Sequence, residues 1–246
     1  MGRNMAAPTS RVATPAQAHA ARPDVRGTAS SGGVDRARRG LLAGLFAGSA
    51  VALAVSGWPT AAAATGVKSV REMRHDRVVL QEFDISCAAA ALATILNYQH
   101  GERLTEREIA LGLIDREEYI EQPELVRLRQ GFSLLDLKRF VDGRGYEGIG
   151  YGQLEMDNLR SLAPIIVPIN VRGYNHFVVF RGELAGSVIC ADPAYGNRTM
   201  SRDRFERVWL EFPELGRVGF VVERRDGLIP PNRLVPTPAE FLVLRS

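Results

Sequence analysis

Partway along this chain the apolar residues change their period, and that change constrains the fold more than any other feature. In SCAAAALATILNYQHG, residues Ala88, Ala91, Leu92, Ile95 and Leu96 fall at i, i+3, i+4, i+7 and i+8, one face of a helix. The intervening alanines allow that helix to be buried closely on several sides. Asp84 or Ser86 can cap its start, and Gly101 suits its end. TEREIALGLI (105–114) opens on a capping box, Thr105 with Glu108, and turns Ile109 and Leu113 inward. SLLDLKRFVDGRG repeats the scheme, with Ser133 and Asp136 ahead of a Leu134, Leu137, Val141 stripe. VVLQEF (78–83) reads as an extended lead-in, YEGIGY (146–151) as a short strand and MDNLRSLA as a short helix. Then the pattern changes. PIIVPINV (164–171), HFVVFRGEL (176–184) and SVICADP (187–193) are rich in β-branched and aromatic residues and read as neighbouring antiparallel strands, with Gly186 in the last turn. SRDRFERVW (201–209) reads as a helix and RVGFVVERR (217–225) as a final strand. Helices first and strands later predict an α+β fold, with two lobes facing across a groove.

The N-terminal part reads differently. Residues 1–40 are rich in Ala, Pro, Ser, Gly and Arg without a sustained apolar period, which predicts disorder. Arg36, Arg38 and Arg39 then form a positive region ahead of an uncharged apolar stretch, Leu41 to Val55, and the small residues Ala61 to Ala64 follow. That is the grammar of a secretory signal peptide, and the paired arginines also suit a twin-arginine signal. The alternative is an uncleaved anchor over residues 41–57, the sole route by which this chain would touch a membrane. Residues 1–65 are therefore assigned to leader and signal or anchor, 66–225 to the folded domain, and 226–246 to a proline-rich tail. The domain is expected outside the cytoplasm, periplasmic or secreted.

Composition removes several classes of function. Two cysteines cannot form a disulfide-rich scaffold, and the absence of CxxC and HExxH leaves a metal site without support. No GxxxxGK[ST] is present, so ATP is not an expected partner. The net charge of +3 sits largely near the N-terminus, and no basic block interleaved with aromatics suggests nucleic acid. No organic cofactor is implied.

What remains is thiol chemistry. Cys87 stands at the start of a helix, where the dipole and unpaired N–H groups favour a thiolate. A general base must reach it. His19 lies in the leader, His75 precedes the lead-in, and His100 lies at the far end of the Cys87 helix, about 20 Å away at 1.5 Å per residue. That leaves His176, at the start of a buried strand. A third group must fix the tautomer of the imidazole. If 176–184 and 187–193 form a hairpin, Asp192 comes beside His176, and Pro193 then turns the chain away. Gln81 carries an amide that can donate to a developing oxyanion. Cys190, two residues before Asp192, shares its face on a regular strand and reads as a buried free thiol, while a disulfide with Cys87 would block the nucleophile.

At this point the chain resembles a known family: the bacteriocin-processing, double-glycine leader peptidase domains, the thirty-ninth family of cysteine peptidases. The stretches that carry the resemblance are QEFDISCAAAALATILNY, GFSLLDLKRFVDGRGY, NHFVVFRG and ADPAYGNRTMSRDRFERVW, in the family's order over roughly residues 76–223. The resemblance implies a papain-like fold, with a helical N-terminal lobe whose nucleophile helix packs on an antiparallel β-sheet lobe. It places the family's Cys, His, Asp and oxyanion Gln on Cys87, His176, Asp192 and Gln81. It implies a peptide or protein substrate, cleavage after a small-residue pair such as Gly-Gly, and a separately encoded exporter as partner. The sequence departs from the family in three respects. Ser86-Cys87-Ala88 stands where relatives have Asp-Cys-Gly, the tryptophan often found before the histidine strand is absent, and a secretion signal replaces the transporter. The same triad would also serve acyl transfer to an amine, as in an amidase or transglutaminase, and a peptide-binding module without turnover is the reading outside enzymes.

Overall fold

The computed structural model describes residues 68–115, 121 and 131–244. The leader, signal and anchor readings for residues 1–65 lie outside the described residues. Among the described residues no helix is long and apolar enough to cross a membrane.

After a short first helix, α1 (Val70–His75), the alanine-rich run forms α2 (Cys87–Tyr98). Every residue of α2 from Cys87 through Leu96 is buried, as side chains this small permit. Two capping boxes start the next helices where the sequence pattern places them. Thr105 with Glu108 opens α3 (Glu106–Ile114), and Ser133 with Asp136 opens α4 (Leu134–Asp142). The strands and helices that follow are β1 (Tyr146–Tyr151), α5 (Met156–Leu162), β2 (Ile165–Val171), β3 (Tyr174–Leu184), β4 (Ser187–Asp192), β5 (Gly196–Ser201), α6 (Arg202–Val208), the two-residue β6 and β7 (Glu211–Phe212 and Gly216–Arg217), β8 (Gly219–Arg224) and α7 (Pro238–Val243).

The main sheet has six strands in the order β1–β8–β2–β3–β4–β5, each antiparallel to its neighbour. The last strand thus returns to the middle of the sheet, so chain order does not reveal its place. Alternation gives the sheet two apolar faces. Ile166, Val179, Ala191 and Phe220 pack with Ala88, Leu92, Ile95, Ile109 and Leu137 of the helical layer. Val167, Val178, Phe180 and Cys190 pack with Leu159, Phe205 and Trp209 on the other side. The result is the expected α+β arrangement, the Cys87 helix laid against an antiparallel sheet. Segment 78–83 joins no ladder, and Val79 instead donates its N–H to Thr94 Oγ1 of α2 at 2.9 Å.

The proline-rich segment after Asp226 folds back onto the sheet. Leu234, Phe241 and Leu244 are buried. Arg181, wholly buried in β3, pairs with Glu240 of α7 at 2.9 Å and donates to the Leu234 carbonyl at 2.8 Å. Arg77, between α1 and α2, reaches the same Glu240 oxygen at 3.0 Å. Arg181 and Glu240 are both buried, so loss of either would leave the other's charge unpaired in this core, which is strongly destabilising.

Candidate active site

The start of α2 carries Cys87, with only 4% of its surface exposed. Ser86 occupies the N-cap position, yet its side chain makes no cap bond. Its hydroxyl lies instead between the Phe83 carbonyl, at 2.7 Å, and the buried carboxylate of Glu106. The first N–H groups of α2 have no partner within the helix, and no serine cap covers them. Glu106 also accepts the Glu82 N–H at 2.7 Å, so this one carboxylate ties down both ends of the loop that delivers Cys87. Behind the loop stands Gly131 with φ of 120°, where a Cβ would lie 2.8 Å from the Ile85 carbonyl; only glycine fits so close.

β3 and β4 supply the other half of the site. Their register pairs Val179 with Ala191, which extends to Asp192 opposite Val178 and diagonal to His176. The Asp192 carboxylate closes that diagonal. Its Oδ1 accepts from His176 Nε2 at 2.7 Å and from the Ala194 N–H at 2.9 Å. Its Oδ2 faces Arg198 Nη2 of β5 at 3.0 Å, an ion pair without the alignment of a hydrogen bond. Arg198 in turn lies over the Tyr195 ring, 5.2 Å from its centroid. Asp192 is fully buried and His176 nearly so. The D-P-A-Y-G turn after β4 thus seats the carboxylate with its own backbone, and Gly196 takes the positive φ (79°) that closes it.

Cys87 meets the imidazole from the helical side. Burial lowers the pKa of His176, but the hydrogen bond to Asp192 and the contact with Cys87, reinforced by the charges of both, outweigh it and push the value up to about 9. Asp192 occupies Nε2, so Nδ1 is the nitrogen left for the thiol. Nδ1 completes no well-formed hydrogen bond, and the thiol contact is a loose one, as such contacts commonly are before a substrate draws them together. Gln81 lies at the same junction, its backbone N–H donating to the Pro193 carbonyl at 2.8 Å. Its side-chain Nε2 donates to the Phe83 carbonyl at 3.2 Å, while Oε1 is buried without a hydrogen-bond partner. The four residues singled out in the sequence, Cys87, His176, Asp192 and Gln81, are therefore brought together, with the Gln81 donor turned onto its own loop.

Sequence reasoning passed over Arg198 and Glu106. Arg198 carries no local signal, since its relation to Asp192 exists only once β4 and β5 pair. Glu106 left a faint one, an acidic residue just inside a capped helix, obscured by the capping box of its neighbours. Cys190 is a free thiol, as is Cys87. Burial in the sheet core pushes Cys190 up to about 12.

Residues 75–212, more than half of the chain, match the peptidase C39 family. The chain belongs to that family. C39 relatives include two proteins named probable functional amyloid protease FapD. That of Pseudomonas aeruginosa is 40% identical over 144 residues, 58% of this chain and 61% of that protein. That of Pseudomonas fluorescens is 37% identical over 175 residues, 70% of this chain and 72% of that protein. Among solved structures, a double glycine motif protease from an AMS/PCAT transporter, in complex with the leader peptide, aligns with a TM-score of 0.47 and 22% identity, over 60% of this chain and 90% of that one. The peptidase domain of Streptococcus ComA, described as a bi-functional ABC transporter, aligns with a TM-score of 0.48 and 17% identity, over 61% and 100%. Family membership makes this chain a cysteine peptidase by lineage.

Proposed function

We propose that this C39 protein hydrolyses a peptide bond in a peptide or protein outside the cytoplasm, with Cys87, His176 and Asp192 as its triad. The observation that carries the reading is the buried His176, held through Nε2 by a buried Asp192, with Nδ1 left for Cys87 beside it. Cys87 Sγ attacks the scissile carbonyl carbon; an S–C bond forms and the carbonyl oxygen takes the negative charge. His176, protonated, gives its proton to the departing amine as the C–N bond breaks, which leaves a thioester on Cys87. Water then attacks the thioester, His176 takes its proton, and the S–C bond breaks to release the carboxylate product. Asp192 holds the imidazole in one tautomer throughout. The Cys87 N–H and the Gln81 amide receive the oxyanion, Gln81 leaving the Phe83 carbonyl to do so.

Cleavage after a Gly-Gly or similar small-residue pair follows from the leader-peptidase resemblance, and the names of the Pseudomonas relatives suggest a protein of an amyloid system as the natural substrate. Arg36 to Ala64 support export of the domain. The test is incubation with synthetic peptides carrying a central Gly-Gly pair in 18O-labelled water, read by mass spectrometry. Hydrolysis gives an acid product that carries the label, and Cys87→Ala gives none. An unlabelled product joined to an added amine would mean acyl transfer, and an intact peptide that co-purifies with the protein would mean a binding module.

A further inference from the structure

Tyr174 belongs to none of the roles described so far, yet it stands at the site. It opens β3 two residues before His176, so the two side chains project from the same side of the strand. Their rings lie 6.4 Å apart, centre to centre. The hairpin that presents them is pinned at its tip. Asn170 Oδ1 accepts the Gly173 N–H at 2.9 Å, Asn170 Nδ2 donates to Asn175 Oδ1 at 2.7 Å, and Arg172 and Gly173 take the positive φ values, 55° and 85°, of a two-residue turn. From this fixed base the phenol reaches the loop ahead of α2, where Oη donates to the Asp84 carbonyl at 2.8 Å, three residues before Cys87. Burial, and then the charges of Cys87 and Asp84, raise the pKa of the phenol. Even so, 46% of Tyr174 is exposed. The residue is surface beside the nucleophile, not core beneath it.

We infer that Tyr174 is a specificity-determining residue, a bar fixed between β3 and the loop that leads into Cys87, which admits only small side chains on the acyl side of the scissile bond. The acyl side is assigned because the bar ends on the loop that runs straight into Cys87. The group it crowds is the one that stays bonded to Sγ after attack. An aromatic ring anchored at both ends cannot swing aside without losing the Asp84 hydrogen bond. Glycine or alanine therefore passes where a β-branched or long side chain collides. This rests on the peptidase reading above and names the residue that sets its preference.

The experiment uses peptidyl acyloxymethyl ketones with Gly, Ala, Val or Leu next to the ketone. Sγ displaces the carboxylate of the reagent, one S–C bond forming as one C–O bond breaks, so no natural substrate is needed. Inactivation rates are read by intact mass on the full chain, with iodoacetamide alkylation of Cys87 alongside. The expected result is a Gly reagent at least about tenfold faster than the Val reagent in the wild type, about the discrimination expected from a tight apolar contact. In Tyr174→Ala that ratio falls toward one; in Tyr174→Phe, which keeps the ring but frees it, the ratio lies between. Equal rates for all four reagents in the wild type, or a wild-type ratio retained in Tyr174→Ala, would overturn the bar and leave the peptidase standing. Failure of every reagent in the wild type, with iodoacetamide still alkylating Cys87, would overturn the peptidase reading and the bar with it. Tyr174→Phe keeps the comparison available if the alanine variant does not fold, since it removes one oxygen only.

Discussion

Two thiols lie in this protein, both buried and both free, and their surroundings differ at every point that matters for reactivity. Cys87 opens a helix whose first N–H groups carry no serine cap, beside an imidazole whose pKa stands near 9. Cys190 sits mid-strand among Val188, Phe180 and Phe205, and burial there pushes it up to about 12. Burial is therefore not what distinguishes them. The difference lies in what compensates a negative sulfur: one thiol has helix N–H groups and an adjacent imidazole, while at the other burial outweighs the charges of Arg198 and Arg181. The Asp192 carboxylate is turned to His176, Ala194 and Arg198 and not to Cys190, although Cys190 lies two residues before it on β4.

The largest effect expected is on turnover. Cys87→Ala should abolish peptide hydrolysis, a loss on the order of 10³-fold or more, while Cys190→Ala should keep kcat within about twofold. Peptide cleavage assayed for both variants checks this, and equal losses would break the comparison. Next comes His176→Ala, for which we expect kcat/KM to fall on the order of 10²–10⁴-fold, with the Cys190 thiol no less inert than before. The pH profile sharpens the contrast. The imidazolium survives to about pH 9, so the alkaline limb of kcat/KM should lie there, well above the ordinary histidine value of 6.5. Because the folded value is raised, the stabilisation from this proton is complete below 6.5 and is lost as the pH rises through about 9. The Tm difference between wild type and His176→Gln should narrow over that window, as measured by calorimetry. A smaller effect is expected for Arg198→Gln, which removes the cation opposite Asp192 Oδ2. Asp192 then holds the imidazolium more tightly, so the alkaline limb moves upward while kcat falls about tenfold or less. The smallest effect is the cost of Cys190→Ala to stability, about 1 kcal/mol for one buried sulfur, read as a shift in denaturant midpoint.

Much of the site was legible because its signals are local. A thiol at a helix start, a capping box and a strand that opens on histidine are each written within a few residues. The Asp192 carboxylate was reachable too, since a short hairpin couples positions close in sequence. What could not be read lacks a pattern of its own or depends on distant contacts. Gly196–Ser201 is a polar stretch that becomes β5 only against β4, and with it Arg198 arrives at Asp192. Pro238–Val243 looks like the end of a tail until Glu240 meets Arg181, and its helix then becomes part of the body. Ser86 met a different fate from the cap expected of it, because Glu106, twenty residues on, draws its hydroxyl away. The anchoring of Gln81 to the Pro193 carbonyl is likewise a contact between halves of the chain that no local pattern records.

Whether His176 activates Cys87 is read from intact mass after brief iodoacetamide treatment between pH 5 and 9, wild type beside His176→Ala. A single adduct on Cys87, formed rapidly toward the acid end and slowed by the substitution, with Cys190 untouched, is the result this account predicts. A Cys87 as unreactive as Cys190, or alkylated equally fast without His176, would contradict it.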